Sequence, residues 1–264
     1  MKKNCLYFLI LSIFSSLLLA QPNKETTFLP KAGTLHFEAN FDTPYYIKNS
    51  PSSDIFLYVS TLSGKAPDDA SNTPLNISLV LDRSGSMSGA KLHYAKEAAK
   101  FVIDKLDKND NISLIAYDHT VQIVAASGKV KNKKKLKKRV DLILDNGATN
   151  LSGGMLMGFH QVQSTYTEGY VNRVLLLSDG LANRGITDAF KLRDTAQIIN
   201  KASNITLSTF GLGSEFDENL LESLAEYGGA NYYFIHEAGN IPTVFMQELQ
   251  GLQSVIAQKA MVMV

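Results

Sequence analysis

The stretch LNISLVLDRSGSMSGAKL, residues 75–92, passes from a continuous apolar run to a carboxylate and then to a loop of serine and glycine. An uninterrupted apolar run of this length is typical of a strand that is covered on both faces of a parallel sheet. Asp82 ends the run, and Ser84 and Ser86 follow two and four residues later. Alternate side chains of an extended segment point to one side, so this spacing predicts a cluster of oxygen atoms.

A second buried strand is predicted in NRVLLLSDG, residues 172–180, which also ends in an aspartate, Asp179. Between and after the two runs, segments with apolar residues at helical spacing alternate with short apolar runs. This alternation is typical of a doubly wound α/β fold, in which helices cover both faces of a mostly parallel sheet. The short link between NISLIAYD, residues 111–118, and VQIVAA, residues 121–126, predicts a hairpin.

The ends of the two buried strands predict a binding site. Ligands of such folds bind outside the carboxyl ends of the strands, at the crevice where the strand order reverses. If the two strands flank that crevice, Asp82 and Asp179 converge with the serine loop between them. Neighbouring carboxylates repel each other, and a divalent cation offsets that repulsion. Carboxylate and hydroxyl oxygens are hard donors, so these residues favour Mg²⁺ or Ca²⁺ over zinc or copper.

Three short motifs carry a family resemblance. DRSGSM at residues 82–87, the threonine of NGATNL at residues 146–151, and SDG at residues 178–180 resemble the von Willebrand factor type A domain and its metal-ion-dependent adhesion site. The resemblance covers roughly residues 74–250 and is greater to secreted bacterial and inter-alpha-trypsin-inhibitor-like members than to integrin domains. It implies a Rossmann-like sheet of six strands with one antiparallel edge strand, preceded by a small β extension.

The same resemblance implies a cofactor and a kind of partner. The implied cofactor is Mg²⁺, with Mn²⁺ or Ca²⁺ as alternatives, bound directly by hydroxyls and partly through water by carboxylates. An aspartate or glutamate of a partner protein, or an acidic group of a surface ligand, would complete the coordination shell. The implied metal-binding residues are Asp82, Ser84, Ser86, Thr149 and Asp179.

The N-terminus predicts export. It carries two lysines and then an almost wholly apolar segment, which is typical of a signal peptide cleaved after Ala20. The segment is shorter than the roughly 20 residues that span a bilayer, so a retained anchor is the weaker alternative. We expect a periplasmic, cell-surface or secreted protein without a membrane-spanning segment after cleavage. The predicted regions are the signal peptide (1–20), an extension with a β-strand and a linker (21–73), the α/β domain (74–250) and a C-terminal segment (251–264) that stops within a strand.

The charge distribution argues against binding to nucleic acid. Without Lys2 and Lys3, 24 of the 26 basic residues remain against 25 acidic ones. The overall charge of the protein would therefore not attract the phosphate backbone of a nucleic acid. KNKKKLKKR, residues 131–139, concentrates seven basic residues. It predicts a helix with a solvated basic face, and the alternative is a docking patch for an acidic partner or an anionic lipid surface.

Other functions remain as alternatives to adhesion. The resemblance implies a non-enzymatic binding and adhesion module. The first alternative is a scaffold subunit of a cell-envelope complex with a structural metal. The enzyme alternative is Mg²⁺-dependent phosphotransfer, with Asp82 as nucleophile and Asp179 as metal ligand. Many such enzymes carry a second aspartate two residues after the first, and Ser84 occupies that place here. The five histidines and the serines form no recognisable catalytic motif.

Overall fold

The structure is a computed structural model that describes residues 35–41, 57–64, 73–214 and 216–254. The chain divides into two units, Met1–Pro67 and Asp68–Val264. In the first unit, β1 (Leu35–Phe41) pairs antiparallel with β2 (Leu57–Ser63). β2 corresponds to the strand predicted in the N-terminal extension. β1 was not predicted, although LHFEANF alternates apolar and polar residues in the manner of a strand.

Two predictions from the sequence concern residues outside this description. They are the signal peptide, residues 1–20, and the strand predicted near the C-terminus, within residues 257–264. Among the described residues, no helix is both long enough and apolar enough to cross a bilayer.

The second unit is built on a six-stranded sheet with the order β5-β4-β3-β6-β7-β8. Five strands run parallel, and β5 pairs antiparallel with β4 at one edge. The doubly wound, mostly parallel fold with one antiparallel edge strand is thus confirmed. The strands are β3 (Leu75–Asp82), β4 (Asn111–Tyr117), β5 (Val121–Lys129), β6 (Val171–Ser178), β7 (Thr206–Leu212) and β8 (Tyr232–Ile235).

Helices cover both faces of the sheet, which explains why β3 is apolar at successive positions. Leu79 and Leu81 pack into one hydrophobic cluster with α1, α2 and α6, whereas Val80 packs into a second cluster with α3, α4 and α5. A strand buried on both faces has no solvent-facing positions. The helices are α1 (Ala90–Lys105), α2 (Lys133–Asp141), α3 (Leu151–Ser164), α4 (Ala189–Ser203), α5 (Glu218–Tyr227) and α6 (Ile241–Gln253).

Short polar side chains begin four of the helices. In each case a side-chain oxygen accepts a hydrogen bond from the backbone N–H three residues later, which satisfies a donor that the helix itself leaves free. For α3 this residue is Asn150, next to Thr149, so the start of the helix fixes the position of that threonine. The other three caps are Asn132 for α2, Asp188 for α4 and Asp217 for α5.

The strand order reverses between β3 and β6. The chain runs outward from β3 to β4 and β5, and then returns to β6 on the other side of β3. Leu81 and Leu177 lie side by side in register. Asp82 at the end of β3 and Asp179 after β6 therefore reach the same edge of the sheet, where α/β folds bind ligands.

Close packing of α3 on the sheet depends on glycine. A Cβ atom at Gly158 would lie 2.7 Å from Val80 Cγ2 and 2.8 Å from Val174 Cγ1. Gly158→Ala is therefore expected to lower the free energy of unfolding by about 1–3 kcal/mol, because the core must shift to admit a methyl group. Urea denaturation of the variant and the wild type measures this change.

Gly251 in α6 provides the matched control, because a Cβ atom there would meet nothing within 4 Å. Gly251→Ala is expected to leave stability unchanged or to raise it by about 0.5–1 kcal/mol through better helix propensity. Equal stabilities of the two variants would contradict the tight contact of α3 with the sheet.

Candidate metal centre

Asp82 lies fully buried at the end of β3. Its Oδ1 accepts a hydrogen bond from the Ser84 backbone N–H at 2.8 Å, and its Oδ2 accepts one from the Ser178 hydroxyl at 2.7 Å. Burial raises the pKa of Asp82 to about 6, with a smaller contribution from the charge of Asp179, and the hydrogen bonds oppose both effects only in part. The chain thus holds a carboxylate where an added positive charge would be stabilising.

Ser84, Ser86 and Asp179 form a continuous chain of oxygen atoms. The hydroxyl oxygens of Ser84 and Ser86 lie 3.1 Å apart, and the Ser86 hydroxyl donates a hydrogen bond to Asp179 Oδ1 at 2.7 Å. Ser84 and Asp179 are buried, whereas Ser86 is exposed. The cluster therefore rests on the sheet and opens to solvent on the side of Ser86.

Thr149 joins this cluster from the loop before α3. A Cβ atom placed on Gly180 would lie 3.4 Å from the Ser86 hydroxyl oxygen and 3.6 Å from the Thr149 hydroxyl oxygen. Both hydroxyls therefore border the same small space, which the missing side chain of Gly180 leaves open. The structure brings all five residues of the predicted site together.

Asn183 supports Thr149, and the sequence analysis did not identify it. Its side-chain oxygen accepts a hydrogen bond from the Thr149 backbone N–H at 2.9 Å, and its own backbone N–H donates to the Thr149 carbonyl at 3.1 Å. The loop after Asp179 thereby binds the loop that carries the threonine. The only sequence signal was that Asn183 lies in a loop rich in Gly and Asn after the end of a strand. That signal did not indicate that Asn183 would bind the Thr149 loop.

Backbone hydrogen bonds also fix the serine loop. The Arg83 N–H donates to the Tyr117 carbonyl at 2.8 Å, and the Gly85 N–H donates to the Gly147 carbonyl at 3.0 Å. Gly147 has a positive φ of 65°, and a Cβ atom there would collide with the His119 ring. The loop that contains Gly147 therefore needs glycine to lie against the serine loop.

Lys91 is the second contact of Asp179, and no sequence motif identified it. Its ammonium nitrogen lies 2.5 Å from Asp179 Oδ2, and a third of its side chain is exposed. The two oxygens of Asp179 therefore meet different donors, the Ser86 hydroxyl and the Lys91 ammonium group.

The donor set fits a hard divalent cation. It offers two carboxylates and three hydroxyls, all oxygen ligands of the kind that Mg²⁺, Mn²⁺ and Ca²⁺ accept. Within the described residues, no group of three or more His, Cys, Asp or Glu side chains is placed to hold a metal ion. Any metal bound here would therefore depend on the hydroxyls as well as on the two carboxylates.

Residues near the cluster take structural roles. Met87 and Met155 are both fully buried in the core. His93 packs edge-on against Tyr94, with ring centroids 5.2 Å apart.

Known proteins share this arrangement of elements. An uncharacterized protein from Synechocystis sp. is 30% identical over 207 residues, which cover 78% of this chain and 48% of that protein. Inter-alpha-trypsin inhibitor heavy chain H4 from Bos taurus is 31% identical over 175 residues, which cover 62% of this chain and 19% of that protein. The chain thus spans about half or less of the length of these two relatives.

One solved structure with this fold is described as holding a metal. It is proximal thread matrix protein 1 from the mussel byssus with a zinc-occupied MIDAS motif, the metal-ion-dependent adhesion site. It matches with a TM-score of 0.56 and 17% identity, over 67% of this chain and 47% of that chain. At this identity the likeness shows the fold alone.

The model of the von Willebrand factor type A domain family matches residues 76–247, about two thirds of the sequence. The chain therefore belongs to the von Willebrand factor type A domain family.

Proposed function

We propose that this domain is a metal-dependent protein-binding module. Asp82, Ser84, Ser86, Thr149 and Asp179 would hold the cation, which is Mg²⁺ in the first place and Mn²⁺ or Ca²⁺ as alternatives. The single observation that carries the proposal is the continuous contact from Ser84 through Ser86 to Asp179 at the open edge of the sheet. A bound divalent cation would supply a coordination position for a carboxylate from a partner.

Two further observations support this function. Domains of this family typically mediate protein interactions, and a related fold carries a zinc-occupied site of this kind. The exposure of Ser86 beside the buried Asp179 leaves the site accessible from the side of Ser86. A partner that presents an aspartate or glutamate on a protruding loop fits such a site.

We also propose that the domain works outside the cytoplasm, in the periplasm, on the cell surface or as a secreted protein. The support is the apolar segment near the N-terminus, with its preceding lysines. An antibody accessibility assay on intact and on permeabilised cells measures this location. Labelling that requires a permeable inner membrane would contradict export.

The phosphotransfer alternative loses support from the position of Asp82. Both of its carboxylate oxygens accept hydrogen bonds, and the residue is fully buried. A nucleophilic carboxylate needs an oxygen that is free to attack phosphorus, and both oxygens of Asp82 are held by hydrogen bonds to Ser84 and Ser178. The scaffold alternative stays open to experiment, since a structural metal would use the same ligands.

Calorimetric titration with Mg²⁺, Mn²⁺ and Ca²⁺ tests the proposal. We expect saturable binding to the wild type and none to Asp82→Ala, because the carboxylate anchors the serine loop as well as the cation. Pull-down of bound proteins with and without chelator then separates the functions. Release of a partner by chelator supports adhesion, whereas retention of the partner with a lower melting temperature supports the scaffold.

The basic helix α2 provides the control variant. Lys133 and Lys137 contact Asp104 near the last turn of α1, thirteen residues from Lys91. At 1.5 Å per residue this places the start of α2 about 20 Å from the site. Changing Lys133, Lys134 and Lys135 to glutamine is expected to leave metal affinity unchanged, and a large change would contradict the site assignment.

A further inference from the structure

We propose that Lys91 is an internal counter-cation that makes binding of the metal depend on a carboxylate ligand. The inference rests on the proposed function of the site and assigns to Lys91 the coupling between cation and partner. Lys91 would lower the affinity of the site for a divalent cation alone. With Lys91 present, a bound carboxylate would increase the affinity for the divalent cation by a larger factor than it would without Lys91.

Lys91 lies against the Asp179 carboxylate and near the end of β7. It lies in the first turn of α1, directly after the serine loop, and its ammonium group contacts Asp179 Oδ2. A Cβ atom at Gly213, after the end of β7, would lie 3.9 Å from the ammonium nitrogen. The ammonium group thus occupies a position between the end of β7 and the Asp179 carboxylate.

The charges of the site leave one positive charge in excess once a cation is added. Asp82 and Asp179 carry two negative charges when ionised, and Lys91 carries one positive charge. The nearby Arg83 is balanced by the buried Asp118, whose Oδ2 lies 2.9 Å from the guanidinium group. The N-terminus of α1 adds a partial positive charge, and its first turn contains no acidic residue. A bound divalent cation would therefore give a site that attracts one more carboxylate.

Two cations that share one carboxylate repel each other, and this repulsion is strong where water is partly excluded. Asp179 is buried and shares its charge with Lys91, so it is a weaker ligand than an unpaired aspartate. A carboxylate from outside offsets the excess charge. Because coupling between two ligands is reciprocal, the metal must then strengthen carboxylate binding by the same factor.

Titration of Mn²⁺ into the full chain, with sodium chloride or sodium acetate at equal ionic strength, tests this coupling. For the wild type we expect acetate to increase Mn²⁺ affinity several-fold. For Lys91→Met we expect Mn²⁺ affinity without acetate to rise by about 10-fold, because the competing charge is removed. The effect of acetate should become smaller in this variant.

Two variants serve as controls. Lys91→Arg keeps the positive charge and should keep the acetate effect, which also guards against a folding defect in Lys91→Met. Lys105→Met makes the same substitution in the last turn of α1, where the ammonium group lies over the Phe101 ring, and should bind Mn²⁺ as the wild type does. Circular dichroism monitors the fold of each variant.

The outcomes separate this inference from the proposed function. Wild-type Mn²⁺ binding with the same acetate effect in Lys91→Met would overturn the role of Lys91 and leave the metal site intact. Weaker Mn²⁺ binding by Lys91→Met would assign Lys91 a structural role and overturn the inference in the same way. If no variant binds Mn²⁺ with or without acetate, the proposed function itself fails, and this inference fails with it.

Discussion

Asp82→Asn is expected to be more stable than the wild type in the presence of EDTA, yet to gain no stability from Mn²⁺. The substitution removes a charge that is fully buried beside a second carboxylate, Asp179. An asparagine of the same shape can still accept a hydrogen bond from the Ser84 N–H. Removing a buried charge whose hydrogen bonds only partly offset its desolvation is expected to stabilise the fold, by about 1–3 kcal/mol here.

The physical reason is that the carboxylates that bind the cation destabilise the fold while no cation is bound. A site that must attract a cation keeps carboxylates in a position that costs free energy while no cation is bound. Mn²⁺ binds the folded protein and not the unfolded chain, so it stabilises the wild type by mass action. Asp82→Asn loses that gain because it loses a charged ligand. Urea denaturation with EDTA and with excess Mn²⁺ measures all four free energies of unfolding.

Asp110→Asn is the matched control. Asp110 is also buried next to a strand of the sheet, and its oxygens accept hydrogen bonds from the Leu75 and Asp107 backbone N–H groups. It precedes β4, at the edge of the sheet opposite the site. We expect this variant to keep the full stabilisation by Mn²⁺. If Asp82→Asn were stabilised by Mn²⁺ as strongly as Asp110→Asn, Asp82 would not belong to the metal site.

Sequence patterns predicted the sheet and the candidate site for a common reason. Strands buried on both faces must be apolar throughout, so β3 and β6 were identifiable as continuous runs. Asp82 and Asp179 end these runs in the sequence, and they converge because β3 and β6 are parallel neighbours in the sheet. Site residues that lie directly after a buried strand can therefore be located from the sequence once the fold class is known.

Contacts between distant segments were not predictable in this way. The pairing of Lys91 with Asp179 joins residues 88 positions apart, and Asn183 reaches Thr149 across 34 positions. A lysine in the first turn of a helix is usually solvated, and nothing in its local sequence identifies the acid it meets. Such pairs depend on the packing of whole elements, which periodicity does not encode.

The contacts of Glu248 could not be predicted from the local sequence either. It lies buried in α6, and its Oε1 lies 2.8 Å from the Arg173 guanidinium group and accepts a hydrogen bond from the Ser208 hydroxyl. Its Oε2 accepts hydrogen bonds from the Asn231 side chain at 2.9 Å and the Tyr233 hydroxyl at 2.7 Å. This network joins α6 to three strands of the sheet through Arg173, Ser208 and Tyr233.

The environment of Glu248 determines the direction in which its pKa shifts. Burial alone would raise the pKa, but the charge of Arg173 and the hydrogen bonds from Ser208, Asn231 and Tyr233 outweigh burial and lower it from 4.5. A carboxyl group whose pKa is lower in the folded state stabilises the fold above its unfolded pKa. That contribution is lost as the pH falls below about 4.5 and through the folded pKa.

Glu248→Ala is therefore expected to lower the free energy of unfolding by about 3–5 kcal/mol at neutral pH, because it leaves the mostly buried Arg173 without its partner. Urea denaturation at pH 7 should show this loss, and the gap to the wild type should narrow below about pH 4.5. Glu97→Gln is the control, since Glu97 is exposed in its pair with Lys100 and such pairs contribute about 0–1 kcal/mol. A gap that stays constant down to low pH would mean that the loss comes from packing alone and that the ion pair with Arg173 adds nothing.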